Sequence, residues 1–150
     1  MKHRWFVCLA FAFAASVAMA QDVHRGLLHV LHPWARATVP GQPSAAVYLT
    51  INNQAGTADQ LIAVSSPIAD AAAVHTMSRH GDVMQMREAD NVTVAAGTSI
   101  AMKPGDGYHI MLTGLHQPLK VGQPVTLQLR FRRAGKLRVV VTVEAVEVPL

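Results

Sequence analysis

Two segments near the end of the chain alternate so regularly that they restrict the fold before anything else is known. Val125, Leu127, Leu129 and Phe131 alternate with Thr126, Gln128, Arg130 and Arg132, and Leu137, Val139, Val141, Val143 and Ala145 continue with the same period of two. That period puts every apolar side chain on one face of a strand, whereas a helix needs spacings of three and four. The turn Arg133-Ala134-Gly135-Lys136 between them reads as the tip of a hairpin. Further short strand candidates cover residues 27–31, 45–51, 60–64, 72–76, 83–88, 99–102 and 107–113. Turn clusters such as Pro40-Gly41-Gln42-Pro43, His80-Gly81-Asp82 and Lys103-Pro104-Gly105-Asp106-Gly107 separate them. No amphipathic helical run reaches ten residues, although the alanine-rich stretch 68–74 has room for one helical turn. The pattern predicts one all-β domain, an antiparallel sandwich or barrel.

The first 20 residues stand apart. Lys2 and Arg4 precede an almost wholly apolar run over 5–15, and Ala18-Met19-Ala20 has the small-x-small form of a signal-peptidase site. Cleavage is expected after Ala20, leaving residues 21–150 as a single exported domain. The apolar run falls short of the roughly 18 residues that a membrane helix needs, and no later stretch comes near that length, so no membrane insertion is expected. Cys8, the only cysteine, leaves with this segment, and the mature chain then has no thiol, disulfide or thiolate ligand. Because Cys8 lies in the middle of the apolar run rather than at its end, a lipid anchor is not expected. Eleven basic residues remain against nine acidic ones, too small a bias for the clustered footprint of a nucleic-acid binder. Arg130, Arg132 and Arg133 read instead as the wet face of a strand.

Soft donor side chains crowd into one stretch. All five methionines outside the first 20 residues, Met77, Met84, Met86, Met102 and Met111, fall within 35 residues, and His75, His80 and His109 lie in or beside them. Methionine is a common core filler, so the clustering by itself also fits simple packing. In a strand, however, His109 and Met111 leave the same face, as do Met84 and Met86 on another strand, and His75 is placed at the end of the strand before it. Two imidazoles and two thioethers then have the means to converge near one end of the sheet. That neutral, soft set suits Cu(I) among biological metals, whereas zinc sites usually add thiolate or carboxylate and calcium or magnesium sites require oxygen. Met77 and Met84 read as neighbours that pack or shield, His80 as a solvated turn residue, and His116 as a loop residue without a role. His24, His29 and His32 are a second group that would capture metal only if they converge. Trp34 and Tyr48 read as core or interface aromatics.

His75-Thr76-Met77, Met86 after ten intervening residues, and His109-Ile110-Met111 together resemble the signature of the periplasmic PCu(A)C copper chaperones. Pro33-Trp34-Ala35-Arg36-Ala37-Thr38, Ala45-Ala46-Val47-Tyr48-Leu49, Val83-Met84-Gln85-Met86-Arg87 and Gly107-Tyr108-His109-Ile110-Met111-Leu112 are similar as well, and the likeness spans nearly all of the chain after the first 20 residues. The gap between Met86 and His109 is 22 residues, against about 21 in the family, a difference that the turn Pro104-Gly105-Asp106-Gly107 can absorb. The resemblance implies a cupredoxin-like β-sandwich of Greek-key type and one Cu(I) ion per chain held by His75, Met86, His109 and Met111. It also implies a non-enzymatic periplasmic carrier. Such a carrier would deliver copper toward the copper centres of respiratory cytochrome oxidase, directly to the copper-site subunit or through Sco-type thioredoxin-like partners. A periplasmic copper-tolerance buffer is the alternative. A small copper- or zinc-dependent enzyme using His75 and His109 would want a third histidine at metal spacing or a convergent carboxylate pair, and the stretch offers neither. A metal-free β-sandwich interaction module is the third reading.

Overall fold

The computed structural model describes residues 21–145. The expected signal segment, with Cys8, lies outside the described residues. In chain order the strands are β1 (Val23–Arg25), β2 (Leu28–Arg36), β3 (Ser44–Asn53), β4 (Asp59–Ser65), β5 (Ala69–His80), β6 (Val83–Glu88), β7 (Val92–Val94), β8 (Thr98–Ala101), β9 (Gly107–Leu115), β10 (Pro124–Phe131) and β11 (Gly135–Glu144). The described residues contain no helix.

The alternating segments near the end of the chain form the hairpin that their pattern requires. Val125 faces Val141, Leu127 faces Val139 and Leu129 faces Leu137 across the ladder, and all six are buried. The hydrogen-bonded path runs β6-β5-β9-β3-β2-β11-β10-β4-β7, with β1 added to β2 and β8 added to β3. Every pairing is antiparallel except β2 with β11, where Trp34 lies beside Thr142. The path folds over on itself, so that Ile110 and Leu112 of β9 share one core with Val30 and Ala35 of β2, Leu49 and Ile51 of β3, and Leu127 and Phe131 of β10. The chain is therefore all-β, a mostly antiparallel cupredoxin-like sandwich.

One expectation from the sequence is corrected here. The alanine-rich stretch forms no helical turn but opens β5, and β5 runs on to His80, so His75 sits in the middle of a long strand rather than at the end of a short one. The cause is non-local. Ala71, Ala72, Ala73 and Val74 pair in register with Thr113, Leu112, Met111 and Ile110 of β9, and that ladder overrides the helix propensity of alanine. Beyond His80 the chain reverses through Gly81-Asp82, where Gly81 takes φ 63°, and returns as β6. Among the described residues β5 is the only strand paired with β6, and every residue of β6 is exposed.

Candidate metal centre

The register between β5 and β9 builds the centre. Val74 opposes Ile110, and His75 therefore opposes His109. Because Val74, Ile110 and Leu112 point into the core, alternation sends His75, His109 and Met111 to the opposite face. On the next strand Val47 opposes Ile110, which puts Tyr48 on the same outer face beside His109. The outcome is a transverse row of rings. Trp34 and Tyr48 stand 4.7 Å apart between ring centroids, Tyr48 and His109 6.5 Å, and His109 and His75 5.7 Å in an edge-on arrangement. Although it lies on the outer face, His109 is only 3% exposed, because this row and the neighbouring strands cover it.

That cover has a chemical cost. His75 Nδ1 and His109 Nε2 are buried with no hydrogen-bond partner, and an unsatisfied buried polar atom typically costs about 1–3 kcal/mol. Burial, followed by the charge of His75, pushes the His109 pKa below its ordinary 6.5, so at neutral pH its imidazole is unprotonated. A neutral imidazole with a free lone pair is a ready metal ligand. Burial also raises the Tyr48 phenol above its ordinary 10.0, against a weaker opposing effect of Arg36, so Tyr48 stays neutral and acts as a cover. The donor set fits copper on these grounds. Among the described residues no three His, Cys, Asp or Glu side chains come together, which leaves thioether sulfur as the natural complement to the two imidazoles.

The methionines take graded positions. Met111 follows His109 on the same face of β9, opposite Ala73 and Ala46. Met86 lies on the other side of the histidine row. It opposes Met77, and the residue of β6 that opposes His75 is Glu88. The candidate ligands thus occupy three successive rows, roughly 6.6 Å apart along the strands, with the histidine pair in the middle. Met77 stands opposite Gly107, which has no side chain, and is half-buried. Its place beside His75 follows from their two-residue spacing, whereas its opposition to Met86 depends on the register of the hairpin. Met84 is one row further out, and its sulfur accepts a hydrogen bond from Arg79 Nε at 3.4 Å. His80 is exposed at the strand end, and His116 is 2.9 Å from the Asp70 carboxylate; neither approaches the row. Trp34 and Tyr48, read from the sequence as general aromatics, prove to be the continuation of the histidine row.

The LpqE-like family, described as "Putative lipoprotein LpqE-like", matches residues 28–143. "Putative lipoprotein Lxx21020" of Leifsonia xyli subsp. xyli (strain CTCB07) is 31% identical over 117 residues, which covers 78% of this chain and 69% of that protein. Among solved structures, the copper-bound PCuAC domain from PmoF2 is similar with a TM-score of 0.72 and 26% identity, covering 83% of this chain and 98% of the other. The solution structure of CuI-DR1885 from Deinococcus radiodurans is similar with a TM-score of 0.62 and 30% identity, covering 87% of this chain and 85% of the other.

Proposed function

We propose, from the premise that this chain belongs to the LpqE-like family and shares its fold with copper-bound PCuAC domains, that it is a copper carrier working outside the cytoplasm. The observation that carries this reading is the opposed pair His75 and His109, whose buried Nδ1 and Nε2 lack partners on a face flanked by Met86 and Met111. In the proposed complex these four residues hold one Cu(I). All four ligands are neutral, so the bound ion keeps its single positive charge and is not locked in by thiolate. The two imidazoles sit on rigid paired strands, whereas Met86 lies on an exposed edge strand and is 48% exposed. Thioether side chains have three rotatable bonds, so Met86 is the ligand best able to let go. An acceptor rich in thiolate would enter from that side.

The proposed recipients are the copper centres of cytochrome oxidase, reached through its copper-site subunit or through Sco-type thioredoxin-like proteins in the periplasm. The relatives named above carry the names of copper domains and lipoproteins, which supports a carrier rather than an enzyme. X-ray absorption on the protein loaded anaerobically with Cu(I) tests the site: sulfur and nitrogen scatterers are expected, and a shell of nitrogen and oxygen alone would overturn it. Deletion of the protein separates delivery from storage. Loss of oxidase activity only under copper scarcity supports delivery, while sensitivity only under copper excess identifies a tolerance buffer.

A further inference from the structure

A second pair of histidines is preorganised on the first hairpin, away from the ring row. β1 and β2 are joined by the two-residue turn Gly26-Leu27, and Gly26 adopts φ 61°, the left-handed conformation required at the first central position of a type II′ turn. The turn sets the register: Arg25 opposes Leu28, His24 opposes His29 and Val23 opposes Val30. In a hairpin with so short a turn the flanking pair exchanges hydrogen bonds, so the next pair is the narrow one, with Cα atoms about 4.5 Å apart. His24 and His29 occupy it. Their ring centroids are 5.6 Å apart and their planes are inclined by 28°. Leu28 and Val30 are buried, so His29 faces outward beside the exposed His24.

We propose that His24 and His29 form a second metal site, a two-imidazole chelate selective for Cu(II) over Cu(I). Two cross-strand imidazoles need only a rotamer adjustment to aim one nitrogen each at a shared ion. No methionine or cysteine lies on this hairpin, so the soft sulfur that favours Cu(I) is missing. No third His, Asp or Glu joins the pair among the described residues, which leaves the other positions to water. Nitrogen and oxygen ligands in a tetragonal arrangement suit Cu(II), which stands at the top of the divalent affinity order. His32 is not part of the chelate. Its backbone N–H donates to Asp22 Oδ1 at 2.8 Å, and its ring is 3.9 Å from the Glu144 carboxylate. The two sites cannot share an ion, because His29 opposes Asn52 while Tyr48, beside His109, lies four residues back along β3, roughly 13 Å away.

The test titrates Cu(II) in air into the exported protein after its sulfur-containing site has been filled with Ag(I), a soft ion that keeps its oxidation state. Electron paramagnetic resonance should then report one Cu(II) with nitrogen ligands. His24→Ala and His29→Ala should each lower the affinity at least tenfold, and His32→Asn should leave it unchanged. The same titration in a His75→Ala/His109→Ala protein should still find this ion, which separates it from any Cu(II) taken up by the first site. Absence of a bound Cu(II) in both backgrounds, an affinity in the His24 and His29 variants unchanged from that of the unaltered protein, or an equal loss on changing His32 would overturn the assignment.

Discussion

His109 concentrates the chemistry of the proposed site in one side chain, buried to 3% exposure with an unpartnered Nε2. His109→Ala and Met111→Ala should each weaken Cu(I) binding by ten-fold or more, whereas His80→Ala, exposed at the end of β5, should leave it unchanged. Competition with a chromophoric Cu(I) chelator measures all three. The same burial makes the apo protein sensitive to acid. The folded-state pKa of His109 lies below 6.5, so the unfolded chain takes up the proton more readily than the folded one. The stability from this group is therefore full above about 6.5 and is lost as pH falls through the lowered folded value. The melting temperature of the copper-free protein should fall over that acid window, and His109→Ala should flatten the fall. An equally steep fall in the variant would place the sensitivity elsewhere. At this scale the sequence was informative about faces but not about partners. That His109 and Met111 share a face follows from a two-residue spacing. That His75 meets His109 depends on the register of two segments more than thirty positions apart, which no local pattern encodes.

In the proposed carrier, the hairpin of β5 and β6 is the element through which the site would open. Met86 and Met84 both leave the exposed strand on the same face, yet Met84 sulfur accepts the Arg79 N–H while Met86 lies one row closer to His75. Met86→Leu should therefore weaken Cu(I) binding and Met84→Leu should not, with the fold unaffected in both, because neither side chain belongs to the core. Equal losses in the two variants would argue that the sulfurs are interchangeable. Strands with a clean apolar alternation, such as β10 and β11, were legible in the sequence because each position declares its own side. β5 was legible only in its middle, over 72–76, and both of its ends were missed. Its alanines declare nothing, and their strand conformation comes from the ladder with β9. β1 and β7 escaped detection because three residues span barely more than one period. With β1 went the opposition of His24 and His29, although Gly26 between two polar and apolar neighbours was the available signal.

Across the whole molecule, the core and the proposed copper site are separate. Leu127, Leu129, Phe131, Val139 and Val141 are buried on strands that carry none of the candidate ligands, so the scaffold does not depend on metal for its hydrophobic stabilisation. The exported domain is proposed to begin at Gln21. Intact-mass measurement should find Gln21 at its N-terminus, and a species that retains Met1 or carries lipid would contradict cleavage after Ala20. Such cleavage has a further consequence for the ring row described above. The chain has two tryptophans, Trp5 and Trp34, and removal of the first leaves a single indole, its ring 4.7 Å from Tyr48, which in turn stands 6.5 Å from His109. The molecule then carries its own optical gauge: indole emission should change in proportion to Cu(I) added up to one equivalent, and Tyr48→Leu should blunt the signal while leaving the two imidazoles in place.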